Sequence, residues 1–283
     1  MKTCFGVIGG DQRQAELVRL LREDGNEVVS CGLGLWLKEE EHTLEEAVAA
    51  DVVILPLPLC REAGYMKCRG ANISTTELFG QLRPGQLILA GQVKAEQLKE
   101  AEECGIQLTD YFRREELTVA NAAATAEAAV QTALEQLDQT ILGMDCLVLG
   151  FGRIGKLLTH LLRGMGARVT ATARRPEDLA WIRAYGYPAL DTRELDGKLH
   201  NYNIIFNTIP AQVLDENLLA QMKGDCLCID LASVPGIDQM AADRLGLPYI
   251  WARFLPGRMV PRTAARIIRD TVYYIMEERS EST

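Results

Sequence analysis

Between Asp145 and Gly155 the chain reads DCLVLGFGRIG, in which four apolar residues, Cys146 to Leu149, run directly into Gly150-Phe151-Gly152-Arg153-Ile154-Gly155 and an apolar helical pattern. That order is a buried strand feeding a helix through a glycine turn. Such a turn is suited to holding phosphate. The first glycine permits the tight turn, the second lets backbone approach a pyrophosphate, and the third lets the helix pack close to the strand. Unpaired N–H groups at the helix N-terminus then receive the anion. Glycine turns are common, so a tight turn with nothing bound is the alternative; strand, glycines and helix in sequence favour a dinucleotide.

Other stretches sit where such a ligand, or its reaction partner, would need them. The strand after the fingerprint ends VTATARRPEDL, where a site for NAD usually shows an acid that holds the ribose 2′-hydroxyl. Arg174 and Arg175 stand there instead, with Thr172 as a supplement, and a guanidinium pair suits a 2′-phosphate. NADP is therefore preferred to NAD, against a reading of two solvated arginines. Asn207-Thr208-Ile209-Pro210 and Asp230-Leu231-Ala232-Ser233-Val234-Pro235-Gly236 close two later strands. Each either meets cofactor or substrate or satisfies its own turn. Near the start, Asp11, Arg13 and Gln14 follow Gly9-Gly10. Asp11 either caps a helix or faces a ligand, and Arg13 on the first turn could take a carboxylate. Asn121 and Thr125, four residues apart, share a helix face that we expect to line a cleft, with Glu127 within two turns.

Several chemistries are not supported. His42, His160 and His200 are poorly placed for general-base work, and surface or packing roles are expected of them. The eight cysteines contain no CxxC pair, so buried reduced thiols are expected rather than zinc or disulfides. Glu39 to Glu41 reads as a solvated charge run, and no GxSxG elbow occurs. A net charge of -9 argues against a nucleic-acid partner while leaving small anions open. No apolar run approaches a membrane span, and we expect a cytoplasmic protein.

The elements that must position these residues alternate. Strand patterns at Cys4 to Ile8, Glu27 to Cys31, Asp51 to Leu55, Gln86 to Ala90 and Ile106 to Leu108 interleave with helical ones, and the stretch up to Asn72 reads as a loop. From Asn121, ANAAATAEAAVQTALEQL is a strong helix former. Beyond it come strands at Cys146 to Leu149, Arg168 to Ala171, Ile204 to Asn207, Cys226 to Leu231 and Tyr249 to Trp251, and a helical tail from Pro261. The expected fold is α/β with two doubly wound parallel-sheet domains. We place the first domain at 1–120, the joining helix at 121–140, a Rossmann nucleotide domain at 141–255, and a helix returning to the first domain at 256–283.

Taken together, GGDQRQAEL, Asn121 to Glu127, LGFGRIG, ARR, NTIP, DLAS-P-G and the closing LPGRMVPRTA resemble the dipicolinate synthase A subunit family over nearly the whole chain. The resemblance implies oxidation of a cyclic dicarboxylate, 4-hydroxytetrahydrodipicolinate or its dehydrated form, to the aromatic pyridine-2,6-dicarboxylate, with NADP as acceptor. It further implies a partner, the flavoprotein-like B subunit of the synthase, and the mother cell of a sporulating bacterium as the setting; we also expect an oligomer. Arg13 and Arg262 would clamp carboxylates, Asn121, Thr125 and Ser233 would support them, and Asp11 and Glu127 are candidates for the base. The tail departs from the family's PGLPGxxAPKTAG: it reads Arg253-Phe254-Leu255-Pro256-Gly257 and has Arg262 in place of a lysine. Arginine does not give up its proton readily, which leaves position 262 a carboxylate role rather than a proton-transfer one. Two other readings stand beside this: a shikimate- or 2-hydroxy-acid-dehydrogenase-like oxidoreductase, and a non-catalytic nucleotide-binding scaffold.

Overall fold

The computed structural model describes residues 3–38, 42–60, 64–68 and 71–281. The run Glu39 to Glu41 lies outside them. The chain divides into two compact units, Met1–Asn121 with Pro256–Thr283, and Ala122–Leu255.

In the first unit, β1 (Cys4–Ile8) leads into α1 (Gln12–Glu23), then β2 (Glu27–Cys31), α2 (Gly34–Leu37), α3 (Leu44–Val48) and β3 (Val52–Ile54). The segment read as a loop holds an antiparallel hairpin, β4 (Tyr65–Cys68) and β5 (Ala71–Ser74). Its strands are four residues long and carry no β-branched run, so periodicity does not reveal them. Next come α4 (Thr75–Gln81), β6 (Leu87–Ala90), α5 (Ala95–Glu103) and β7 (Leu108–Asp110). The last strand lies two residues beyond its expected place, because Ile106 is spent in the core just after the left-handed Gly105. The sheet is parallel in the order β2-β1-β3-β6-β7. Period-2 alternation fills both faces: Phe5, Val7, Val52, Ile54, Leu87 and Leu89 in one core, and Val53, Ile88 and Ala90 in the other.

A one-turn 3₁₀ helix, Tyr111–Arg113, precedes α6 (Glu115–Gln136), which crosses the boundary between the units. It begins six residues earlier than expected and ends four earlier. Glu115 and Glu116 in its first turn suit the positive end of the helix dipole.

The second unit runs β8 (Asp145–Leu149), α7 (Arg153–Gly164), β9 (Arg168–Ala173), α8 (Pro176–Ala184), β10 (Ala189–Asp191), β11 (Ile204–Asn207), α9 (Glu216–Leu219), β12 (Leu227–Asp230), α10 (Gln239–Leu245) and β13 (Tyr249–Trp251). Its sheet is parallel in the order β10-β9-β8-β11-β12-β13, the doubly wound order with β8 at the switch point. The short edge strand β10 was not anticipated.

After α11 (Leu255–Met259), α12 (Pro261–Glu281) returns to the first unit. Its buried stripe Ala265, Ile268, Val272 and Ile275 shares a core with Leu17, Val18 and Leu21 of α1. Each large aliphatic so covered contributes roughly 1.5 to 3 kcal/mol of burial.

Candidate functional site

The row of residues at the carboxyl end of the second sheet is set by register: Thr172 beside Leu149, Leu149 beside Asn207, Asn207 beside Asp230, and Asp230 beside Trp251. Every candidate loop of this unit leaves from that row, which is where open parallel sheets bind ligands.

At its centre is the fingerprint turn. Gly150 has φ +95, and a Cβ there would stand 2.5 Å from Thr208 Oγ1. A Cβ on Gly155 would lie 2.1 Å from the Gly150 carbonyl oxygen, so α7 touches the turn backbone to backbone. Gly152 is the N-cap of α7 and gives it no side-chain acceptor, and nothing lies within 4 Å of where its Cβ would be. The N–H groups that open α7, at Arg153, Ile154 and Gly155, follow an uncapped, uncrowded end. Those three glycines meet the three demands of a pyrophosphate cradle. Phe151 is buried beside Tyr185, with Lys156 Nζ 5.5 Å from its ring centroid.

The neighbouring polar residues brace this turn. Thr172 is fully buried, and its hydroxyl accepts from Gly150 N–H (3.2 Å) and from Thr192 Oγ1 (3.0 Å). It therefore forms the floor of the turn. Arg174 and Arg175 are exposed beyond it; Arg175 Nε donates to Asp178 (2.7 Å), and Arg174 has no acidic partner among the described residues. Thr208 donates to Leu149 O through its hydroxyl (2.8 Å), and Asn207, also fully buried, closes a local turn with Ile209 through both ends of its amide. Pro210 is exposed.

Asp230, which the sequence reading named only as the first residue of a strand-closing loop, organises both loops. Fully buried, it accepts from Asn207 Nδ2 (2.9 Å) and Ala232 N–H (3.0 Å) on one oxygen, and from Gly236 N–H (2.7 Å) and Ile237 N–H (3.1 Å) on the other. Four donors satisfy a carboxylate. A Cβ on Gly236 would lie 2.3 Å from Asn207 Nδ2, so the two loops interlock, and Ser233 is left exposed at the crest of the second. The available signal was an acid ending a strand six residues before a glycine, a weak one.

The first unit has a glycine turn of its own. Gly9 and Gly10 have φ +64 and +111, and Asp11 then caps α1 in a reciprocal box: its carboxylate accepts from Arg13 N–H (3.1 Å) and Gln14 Oε1 accepts from Asp11 N–H (3.1 Å). Arg13 grips the same carboxylate with Nε and Nη2, both at 2.9 Å, and Nη2 also donates to Leu57 O. Arg13 is buried, and a Cβ on Gly257 would meet its Nε at 2.7 Å. Tyr111, packed nearby, donates to Leu55 O, and burial pushes its hydroxyl well above the ordinary range.

Arg262 lies elsewhere, half exposed at the start of α12, where Nη2 donates to Glu23 (3.0 Å) and Nη1 stands 3.7 Å from Glu16. On α6, Asn121 and buried Thr125 are one turn apart, while exposed Glu127 points about 200° round the helix from Thr125. His160 sits 3.0 Å from the Tyr187 hydroxyl. No disulfide joins cysteines among the described residues; Cys60, Cys68, Cys146, Cys226 and Cys228 are buried, and Cys104 is exposed. Among the described residues there is no metal-ligating cluster and no helix long and apolar enough to cross a membrane.

Residues 4–112 match the family described as the N-terminal domain of the dipicolinate synthase A subunit, and residues 108–242 the D-isomer specific 2-hydroxyacid dehydrogenase, NAD binding domain. The dipicolinate synthase A subunit of Bacillus subtilis is 28% identical over 97% of this chain and 96% of its own length. The chain is a relative of that dipicolinate synthase protein. Two crystal structures of such subunits carry the likeness into three dimensions. That from Bacillus subtilis has a TM-score of 0.86 at 27% identity, covering 100% of this chain and 98% of that one. That from Bacillus halodurans has a TM-score of 0.85 at 27% identity, covering 96% and 97%. The resemblance to the dipicolinate synthase A subunit and the α/β fold therefore hold, and the second unit is a dehydrogenase-type domain for a nicotinamide dinucleotide.

Proposed function

We propose that the chain oxidises 4-hydroxytetrahydrodipicolinate, or its dehydrated form, to dipicolinate with NADP as acceptor, as one component of a two-component synthase whose other component is flavoprotein-like. The observation that carries this reading is the likeness to the dipicolinate synthase A subunit over both units, joined to an uncapped dinucleotide turn in the second.

Loss of water from the hydroxylated ring gives a dihydropyridine. Loss of one hydride and one proton from that ring gives the aromatic dicarboxylate, so atoms and electrons balance. A bound NADP supplies the hydride acceptor. The protein's part is to orient, because aromatisation provides the driving force. Gly152 and the opening N–H groups of α7 would hold the pyrophosphate, with Phe151 and Ile209 as the apolar residues of the turn. Arg174 takes the 2′-phosphate directly, and Arg175 joins by exchanging Asp178. Among the groups proposed for substrate, Arg13 is preorganised by Asp11, whereas Arg262 would have to exchange Glu23. Asn121, Thr125 and Ser233 are the proposed supporting donors. Of the two candidate bases, Asp11 already accepts from Arg13 and Glu127 lies on the far side of α6 from Thr125, so we assign the base to neither. The sporulating mother cell is the proposed setting.

The test is to supply the purified chain, with and without its flavoprotein-like partner, with the hydroxylated ring acid and NADP, and to follow NADPH and the aromatic product. No product under any condition would overturn the reading. Comparing NADP with NAD in the wild type and Arg174→Ala tests the cofactor separately: loss of the 2′-phosphate contact should cost about 1.5 to 3 kcal/mol. Equal affinities in the wild type would remove the preference.

A second reading is favoured by the match of residues 108–242: a 2-hydroxy-acid dehydrogenase. Turnover of D-lactate or a similar acid, without turnover of the ring acid, would select it.

A further inference from the structure

In the second unit several arginines are already committed to carboxylates. Arg168 is bound to Asp145 (2.7 Å), Arg175 to Asp178 (2.7 Å), Arg193 to Asp191 (2.6 Å) and Arg244 to Glu216 (2.9 Å). Arg253 is held differently. Its guanidinium carbon lies 4.3 Å from the centroid of the Trp251 ring and 4.8 Å from that of Phe254, and no carboxylate pairs with it among the described residues. Aromatic faces restrain a guanidinium without consuming its N–H donors. Arg253 is thus a positioned cation whose hydrogen-bonding fork is unspent.

Its place in the fold is the carboxyl edge of the sheet. Trp251 is the register partner of Asp230, and the ladder runs one step further, with Ala252 N–H donating to Asp230 O (2.8 Å). Trp251 Nε1 also donates to Ala232 O (3.0 Å), pinning the indole to the loop that carries exposed Ser233. Arg253 follows β13, which lies beyond β11 and β12 from the fingerprint strand β8, so it leaves the sheet beside the loop of Asp230, with that of Asn207 one strand further in. Phe254 has φ +57, a left-handed backbone uncommon for a bulky residue. The chain turns sharply there and places the Phe254 ring against the guanidinium.

We propose that Arg253 is where the second unit takes hold of a substrate carboxylate, with Trp251 and Phe254 fixing the guanidinium and offering ring faces to a planar acid. This rests on the reading that the substrate is a ring acid, and it adds a binding residue to those already named. The fork supplies two parallel N–H donors for one carboxylate.

The experiment follows tryptophan emission of the full chain with dinucleotide bound, on titration with pyridine-2,6-dicarboxylate, pyridine-2-carboxylate and D-lactate. Trp251→Phe assigns the signal. With pyridine-2,6-dicarboxylate the wild type should respond, and Arg253→Ala should weaken its affinity, and raise KM for the ring substrate, by about 10- to 100-fold. Dinucleotide affinity and melting temperature should stay unchanged, because the side chain is exposed. Arg253→Lys should recover part of the affinity, since it restores charge without the fork. Arg253→Ala binding every carboxylate as the wild type does overturns the proposal, as does a Trp251 signal that answers to none of them. Should D-lactate alone perturb Trp251, and do so only with Arg253 present, the assignment of Arg253 stands and the ring-acid reading falls.

Discussion

Both units send a parallel strand through glycines into a helix, yet the helix of the first is sealed and that of the second is open. In the first, Asp11 and Gln14 fill each other's backbone needs at the start of α1, and Arg13 neutralises the capping carboxylate. In the second, the capping position is Gly152, with no acceptor and no neighbour within 4 Å of a Cβ. A helix N-terminus offers N–H donors and a positive dipole, so whatever occupies the N-cap decides whether an anion can use them. One N-cap is filled from within the chain, and the other has no side-chain acceptor.

Several changes would break or sharpen that contrast. The largest effect is expected from Asp11→Ala, which removes the cap and leaves buried Arg13 without its bidentate partner. It should cost the first unit about 3 kcal/mol in urea unfolding, with dinucleotide affinity unchanged. Gly155→Ala drives a methyl toward the Gly150 carbonyl and should cost the second unit about 2 to 3 kcal/mol and most of its dinucleotide binding. Gly152→Asp gives α7 the kind of cap that α1 has. There is room for the side chain, so melting should hold or rise, while calorimetric affinity for the dinucleotide should fall about 100-fold, equivalent to about 2.7 kcal/mol. Unchanged affinity in that variant would sink the account of the open helix end.

The smallest effect concerns the back of the second turn. Arg193 beside Asp191 holds that carboxyl down to about 2, against an ordinary value near 3.9. The native pKa is depressed, so the stabilisation is fully present above about pH 4 and is lost as pH falls toward 2. Asp191→Asn should therefore flatten the acid limb of stability in that window and leave the neutral range alone. Acid unfolding followed by circular dichroism would show it.

The strand-glycine-helix order around Gly150 was legible because each part has a local cause: apolar run, left-handed turn, apolar stripe. The hairpin at Tyr65–Cys68 and Ala71–Ser74, and the edge strand Ala189–Asp191, were not, since short strands owe their pairing to partners that the local pattern does not reveal. The same limit applies to side chains. Thr172 and Asn207 have the types and positions of ligand contacts, but only burial and register put their polar atoms on the turn itself. Arg262 sits in a motif, while its actual neighbours are Glu16 and Glu23, at the opposite end of the chain.

The amino-acid order by itself determined the alternation of strands and helices, the glycine turn able to receive a dinucleotide, the return of the final helix and the family to which the chain is related. These depend on local conformational preference and hydrophobic period. The tertiary structure alone decided which polar groups brace the loops and which remain available, because a hydrogen-bonding group is spent or spare only relative to what the fold brings beside it.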